Sequence, residues 1–270
     1  MNHRYWLRLA TRLWSSEYAH MLEYRAEVIL WALSGVLPLI MLGVWSTVID
    51  GQGALPVGAL AMNQPQLARY FLSAFVVRQF TVVWVVWQFE QDCLEGRLSP
   101  YLLQPLHPLW RYLASHLAEQ ATRLPFVLLI VTAFFIFKPQ AFLLPRPGHL
   151  LLGVVAVGLG FAIHFLLQSL VASLCFWTER ASALERLLSI PLLFLSGLVA
   201  PLDTFPPAAR QIAFHTPFPW IIGFPAQLLS GADLALGAGF AAMAAWIALL
   251  LPLLMLSWRL GVRRYSAMGA

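Results

Sequence analysis

The sequence predicts an all-α membrane protein with six membrane-spanning helices, and three observations predict it. Hydrophobic residues make up 60% of the chain and charged residues 11%, with mean hydropathy +0.74; a soluble domain spends about a quarter of its residues on charge. Apolar runs recur along the chain at or near the ~20 residues needed to cross hydrocarbon as a helix. Basic residues, all arginine except Lys138, gather at the ends of those runs. A pI near 9.6 therefore reflects orientation in a membrane, not contact with nucleic acid. Cys93 and Cys175 are the only cysteines, too few for a disulfide framework or a zinc site.

The first element, residues 3–25, reads as an amphipathic helix lying on the inner membrane surface. Tyr5, Trp6, Leu9, Leu13 and Trp14 form its apolar face, Arg4, Arg8 and Arg12 repeat every four residues beside it, and Glu23 and Arg25 close it. It reads as a membrane anchor or as a docking helix for a cytoplasmic partner. It has no short apolar core with a small-residue cleavage site, so no signal peptide is expected.

The six spans fall at about 28–49, 70–89, 117–137, 150–177, 187–202 and 234–258. The second carries Arg78, whose burial in mid-span costs about 2.5–3.5 kcal/mol on insertion scales, so it faces either a structural partner or a polar path. The third joins a short apolar run, 124–137, to the preceding "HLAEQATR". The fourth carries His164 and Gln168 on one face at i, i+4, suited to interhelical hydrogen bonds or to a ligand. It also holds Gly153, Gly158 and Gly160, which suggest close packing. The fifth is short and contains Pro191 and Gly197. Between the fifth and sixth, residues 203–233 are too broken by proline to span and too apolar for a solvated loop, so they read as short re-entrant or interfacial helices.

With the N-terminus inside, twelve of the seventeen basic residues fall on the cytoplasmic side and four outside, with Arg78 within a span. That bias fixes the orientation, with both termini cytoplasmic. No carboxylate among the twelve acidic residues is expected inside a span, which weakens the reading as an ion-coupled secondary transporter acting without an ATPase. A P-loop needs a lysine behind glycines, and the sole lysine lies in "FKPQ". The chain therefore has no ATP site of that kind, and no catalytic or metal-ligating set is evident: the zinc signature His-Glu-x-x-His is absent, and no nucleophile motif surrounds Ser173 or Ser196.

Charge concentrates just after the second span, in "EQDCLEGRLSPYLLQPLHP" at 90–108. Glu90, Asp92, Glu95 and Arg97 surround Gly96, a turn position. Pro100, Pro105 and Pro108 stiffen the apolar edge that follows. By composition this is equally a solvated connector or a short helix shaped to fit a partner's cleft.

"GRLSPYLLQP" at 96–105 resembles the cytoplasmic loop between the second and third spans of ABC-2 type transporter permeases, in a bacterial subgroup of about this length. "LEYRAEVILW" at 22–31 resembles the same subgroup, and the layout is similar end to end. The resemblance implies a type V-like exporter fold and the transmembrane subunit of a bacterial ABC exporter in the cytoplasmic membrane. Two permeases, identical or paralogous, would pair within the lipid, each engaging an ATP-binding subunit. ATP and Mg would be held on those two subunits and no cofactor by this chain. The coupling helix would lie in 90–108, with Glu90, Asp92, Glu95, Gly96, Arg97, Leu98 and Tyr101. The surface helix would lie beside the ATPase. Aromatic residues in and around the spans suit a hydrophobic or amphiphilic substrate.

Overall fold

A computed structural model describes residues 3–23, 30, 33, 35–52, 55–57, 60–142, 147–178 and 180–265. The first helix, α1 (His3–Glu23), lies against the first half of α6 (Leu109–Phe137). Helix α2 (Leu37–Gln52) covers residues 37–49 of the first expected span and packs on α3 (Gln64–Thr81). A hairpin of two three-residue strands, β1 (Leu55–Val57) and β2 (Leu60–Met62), joins them, with Pro56 opposite Ala61.

Helix α3 begins at a capping box. The Asn63 side chain accepts from the Gln66 amide, and the Gln66 side chain accepts in return from the Asn63 amide, both at 3.0 Å. It is the central rod: Leu67, Tyr70, Phe71, Ala74, Phe75 and Val77 are all buried. The second span was expected as one helix over 70–89. Instead it is two, α3 and α4 (Val85–Leu94), interrupted at Val82–Trp84. The run from Thr81 to Val86 holds five β-branched residues, whose crowded χ1 lowers helix propensity.

After a turn at Gly96 come α5 (Leu98–Leu102) and then α6. The third span was expected from residue 117, but its helix starts eight residues earlier, at Leu109. Helix α7 (Pro147–Ser173) runs on into a 3-10 turn at Leu174–Phe176. Helix α8 (Ala181–Leu195) stands where the fifth span was placed at 187–202. At 15 residues it is about 22 Å long, short of the ~30 Å hydrocarbon thickness. The segment before the last helix forms α9 (Pro207–Phe214), α10 (Phe218–Ile221) and α11 (Gly223–Leu229), and α12 (Leu236–Val262) closes the chain.

Among the described residues, four stretches are long and apolar enough to cross a membrane: Gln64–Leu94, Leu109–Phe137, Pro147–Phe176 and Leu236–Val262. Their burial differs. The first is enclosed by α2, α7 and α11. Helix α6 leaves Leu128, Leu129, Ile136 and Phe137 exposed, and α12 leaves Leu249, Leu251, Leu253 and Leu256. Apolar faces of this extent in water would be an aggregation hazard; against lipid they are the ordinary outer surface of a membrane protein. Close packing of α7 on the short helices depends on Gly160, where a Cβ would sit 2.6 Å from the Ile221 carbonyl oxygen. Gly153 is similarly crowded by Leu229, whereas Gly158 faces open space.

Candidate functional site

The charged loop is a braced elbow. Helix α4 ends at Leu94, and Gly96 turns the chain with φ +72°, a conformation that costs a side-chain-bearing residue about 1–2 kcal/mol. Arg97 folds back so that its Nε donates to Asp92 Oδ1 at 2.7 Å, and it also pairs with Glu95. The bond to Asp92 raises the Arg97 pKa. The other Asp92 oxygen accepts from the Tyr112 hydroxyl of α6 at 2.7 Å, so one carboxylate ties three pieces of chain together. Arg111 lies over the Tyr101 ring at 4.2 Å.

Leu98 is fully buried, in a cluster with Phe89, Phe176 and Trp258. The sequence placed Asp92 and Leu98 among residues offered to a partner, but both are buried. They give the elbow its shape, and its surface is made by others. Gln91, Leu94, Glu95, Arg97, Pro100, Leu103, Gln104 and Pro105 are exposed, Leu103 to 88%.

Glu90 faces away from that surface. Its Oε2 accepts from the Ser182 amide at 2.6 Å and its Oε1 from the Ser182 hydroxyl at 2.9 Å. Ser182 is the second residue of α8, so a carboxylate on α4 caps another helix at the end where the helix dipole favours negative charge. The link spans 92 residues of sequence, and nothing local in the sequence announced it.

The interruption between α3 and α4 strips backbone groups of their helical partners, which in lipid costs several kcal/mol per group unless side chains replace them. Four do. Arg123 Nη1 donates to the Gln79 carbonyl at 3.2 Å, Gln120 Nε2 to that of Phe80 at 2.8 Å, and His164 Nδ1 to that of Thr81 at 2.6 Å. The Trp84 amide donates to His116 Nε2 at 2.7 Å. His116 Nδ1 lies 2.7 Å from the Tyr112 carbonyl oxygen, so Nδ1 carries the proton and Nε2 is the acceptor.

Arg123 also pairs with Glu119, and both are almost wholly enclosed. The expectation that no carboxylate lies within a span is thereby corrected: Glu119 sits inside α6, neutralised by its own helix neighbour. Sequence reasoning missed His116, Glu119, Gln120 and Arg123 as a set, although their i, i+3, i+4, i+7 spacing marks one helix face.

Beside the interruption is a cavity of about 250 Å³. The three polar residues predicted within spans meet there: Arg78, His164 and Gln168 line it, with Glu185 and Ser189 of α8 opposite. Gln168 Nε2 reaches Glu185 Oε1 at 3.4 Å. Arg78 has no carboxylate at ion-pair distance among the described residues, and its Nε is buried without a hydrogen-bond partner there.

The surface helix divides in two. Arg8, Arg12 and Glu23 are exposed on α1, Trp6 lies on its first turns, and Arg25 falls outside the described residues. Leu9, Leu13 and Trp14 flank an apolar groove against Trp110, Leu113 and Leu117 of α6. Farther along, Glu17 shares a polar cavity of about 260 Å³ with Gln91, Arg97 and Arg111, which brings α1 up to the elbow.

The family model described as ABC-2 family transporter protein matches residues 63–269, a stretch that holds the elbow, the interrupted helix and the Arg78 cavity. No curated protein matches the sequence.

Proposed function

The chain belongs to the ABC-2 family of transporter proteins, and from that premise we propose that it is the permease subunit of an ATP-driven exporter. It would move a hydrophobic or amphiphilic substrate out through the bacterial cytoplasmic membrane, powered by a separate ATP-binding subunit. Two such permeases pair around the path, each engaging one ATPase. All six segments cross or line the membrane, with both termini on the cytoplasmic face.

The observation that carries this reading is the build of the elbow. An exposed apolar and charged tip, Leu94, Glu95, Arg97 and Leu103, stands on a base of buried Leu98 and doubly bonded Asp92. A tip so braced moves as a body with α4. Through Glu90 and Ser182 the same displacement reaches α8. The interruption at Val82–Trp84 lets α4 tilt without dragging α3. A push from a nucleotide-driven partner thus arrives at the wall of the Arg78 cavity, which residues from the interruption and from α8 both form. A solvated connector needs none of this bracing.

The test is co-purification of the chain with the ATP-binding subunit encoded beside it, followed by transport in vesicles. Replacing Glu95, Gly96 and Arg97 together is expected to abolish ATP-dependent transport while membrane insertion persists. Retention of both complex and transport would remove the elbow from the coupling role. Transport by the chain alone, abolished by collapsing an ion gradient, would favour the secondary-carrier reading instead.

A further inference from the structure

We propose that the cavity beside the helix interruption binds the anionic head group, a phosphate or carboxylate, of an amphiphile. This rests on the reading of the chain as a permease for amphiphilic substrates and gives that substrate a charge. The argument starts from Arg78. A guanidinium held among membrane helices keeps its charge only where something compensates it. Arg123, the other enclosed arginine nearby, is compensated by Glu119 and by the Gln79 carbonyl. Among the described residues Arg78 has neither: its Nε is buried without a partner there, and it lines an open cavity. Its fork of donors matches two oxygens of a carboxylate or phosphate.

The remaining walls fit the rest of such a molecule. Gln168 Oε1 is buried and has no hydrogen-bond partner among the described residues. His164, which spends Nδ1–H on the Thr81 carbonyl, offers Nε2 as an acceptor. Both can receive hydroxyl or amine protons of a polar head. Leu192, Leu193 and Ile222 supply apolar lining for the first carbons of a chain. On the outer side of α8, Leu184, Leu187, Ile190 and Phe194 are exposed, so lipid lies one helix away. Glu185, on the same wall as Ser189, sets a limit of opposite sign: its carboxylate opposes an anion at Arg78 and lowers affinity, which favours release over trapping.

The test uses the purified chain in phosphatidylcholine nanodiscs with radiolabelled decyl phosphate as the probe. Saturable binding is expected. It should not be displaced by equal concentrations of decyltrimethylammonium or of inorganic phosphate. Arg78→Gln should weaken binding at least about tenfold, as loss of a charge-assisted hydrogen bond does, and Arg78→Lys should restore most of it. Glu185→Gln should tighten binding about threefold by removing the opposed charge.

Unchanged binding in Arg78→Gln, or displacement by the cationic amphiphile, overturns the proposal. Displacement by inorganic phosphate alone overturns the amphiphile, and the site then belongs to a free anion. If Glu185→Gln weakens binding as Arg78→Gln does, Arg78 has a protein counter-ion and the site is structural. Should Arg78→Gln fail to fold, the Glu185→Gln arm still decides, because it predicts tighter binding where a structural ion pair predicts weaker. Binding is read without any ATPase. Decyl phosphate that binds at Arg78 yet leaves ATP hydrolysis by the assembled complex unchanged would therefore count against the coupled exporter and not against the site.

Discussion

Replacing Glu90 by glutamine keeps the size of the side chain and removes its charge. In the native protein both carboxylate oxygens are occupied, by the Ser182 amide at 2.6 Å and the Ser182 hydroxyl at 2.9 Å. Glutamine offers one acceptor oxygen, so one bond becomes neutral and the other is lost or reversed. A hydrogen bond to a charged group contributes about 1.5–3 kcal/mol against about 1 for a neutral one, and the helix-end charge adds about 0.3–1. Glu90→Gln should therefore weaken the α4–α8 link by about 2 kcal/mol, or roughly thirtyfold in its opening equilibrium.

The direct assay is hydrogen exchange of the first turn of α8 in nanodiscs, where protection should fall by that factor while α7 is unaffected. Ser182→Ala removes the weaker of the two bonds and should cost about 1 kcal/mol. The double variant should cost less than the sum of the two, because they share a bond. In the reconstituted transporter, Glu90→Gln should lower transport per ATP hydrolysed while the ATPase still co-purifies. Unchanged protection at α8, or a strictly additive double variant, would refute the claim that Glu90 joins elbow and helix.

His116→Leu leaves the Trp84 amide without its acceptor inside the membrane, at an expected cost of about 1–3 kcal/mol, seen as a lower melting temperature in detergent. Leu98→Ala, at a fully buried position, should cost about 2–5 kcal/mol. Leu103→Ala, at an exposed one, should leave melting nearly unchanged and weaken the hold on the ATPase. If the two leucine variants behaved alike in both measurements, the division of the elbow into base and tip would be wrong.

How much of this was legible in the sequence depends on the range of the forces involved. Hydropathy runs located α6, α7 and α12, because an apolar helix side requires nothing beyond its own residues. The elbow was visible for the same reason: Gly96 and the surrounding charges are a local pattern. Asp92 and Leu98 looked like the charged and apolar residues beside them, and only Tyr112 and Trp258, brought in by other helices, made them interior. The interruption at Val82–Trp84 has no proline or glycine to announce it. Five β-branched residues loosen the helix there, but the break persists because His116, Gln120, Arg123 and His164 answer it from elsewhere. The spacing of the first three along one side of α6 was readable, although their target was not.

The side chains that complete the interrupted helix arrive late in synthesis. Those of His116, Gln120 and Arg123 follow their backbone targets by 32, 40 and 44 residues, and that of His164 by 83. A nascent chain that has delivered only its second hydrophobic segment to the translocon therefore holds bare peptide groups with nothing to answer them. That segment cannot settle by itself in the bilayer and must wait beside the insertion machinery until the next two have left the ribosome. Biogenesis of this protein is then a concerted placement of three segments, and polypeptides terminated before Leu109 should be cleared by membrane proteases.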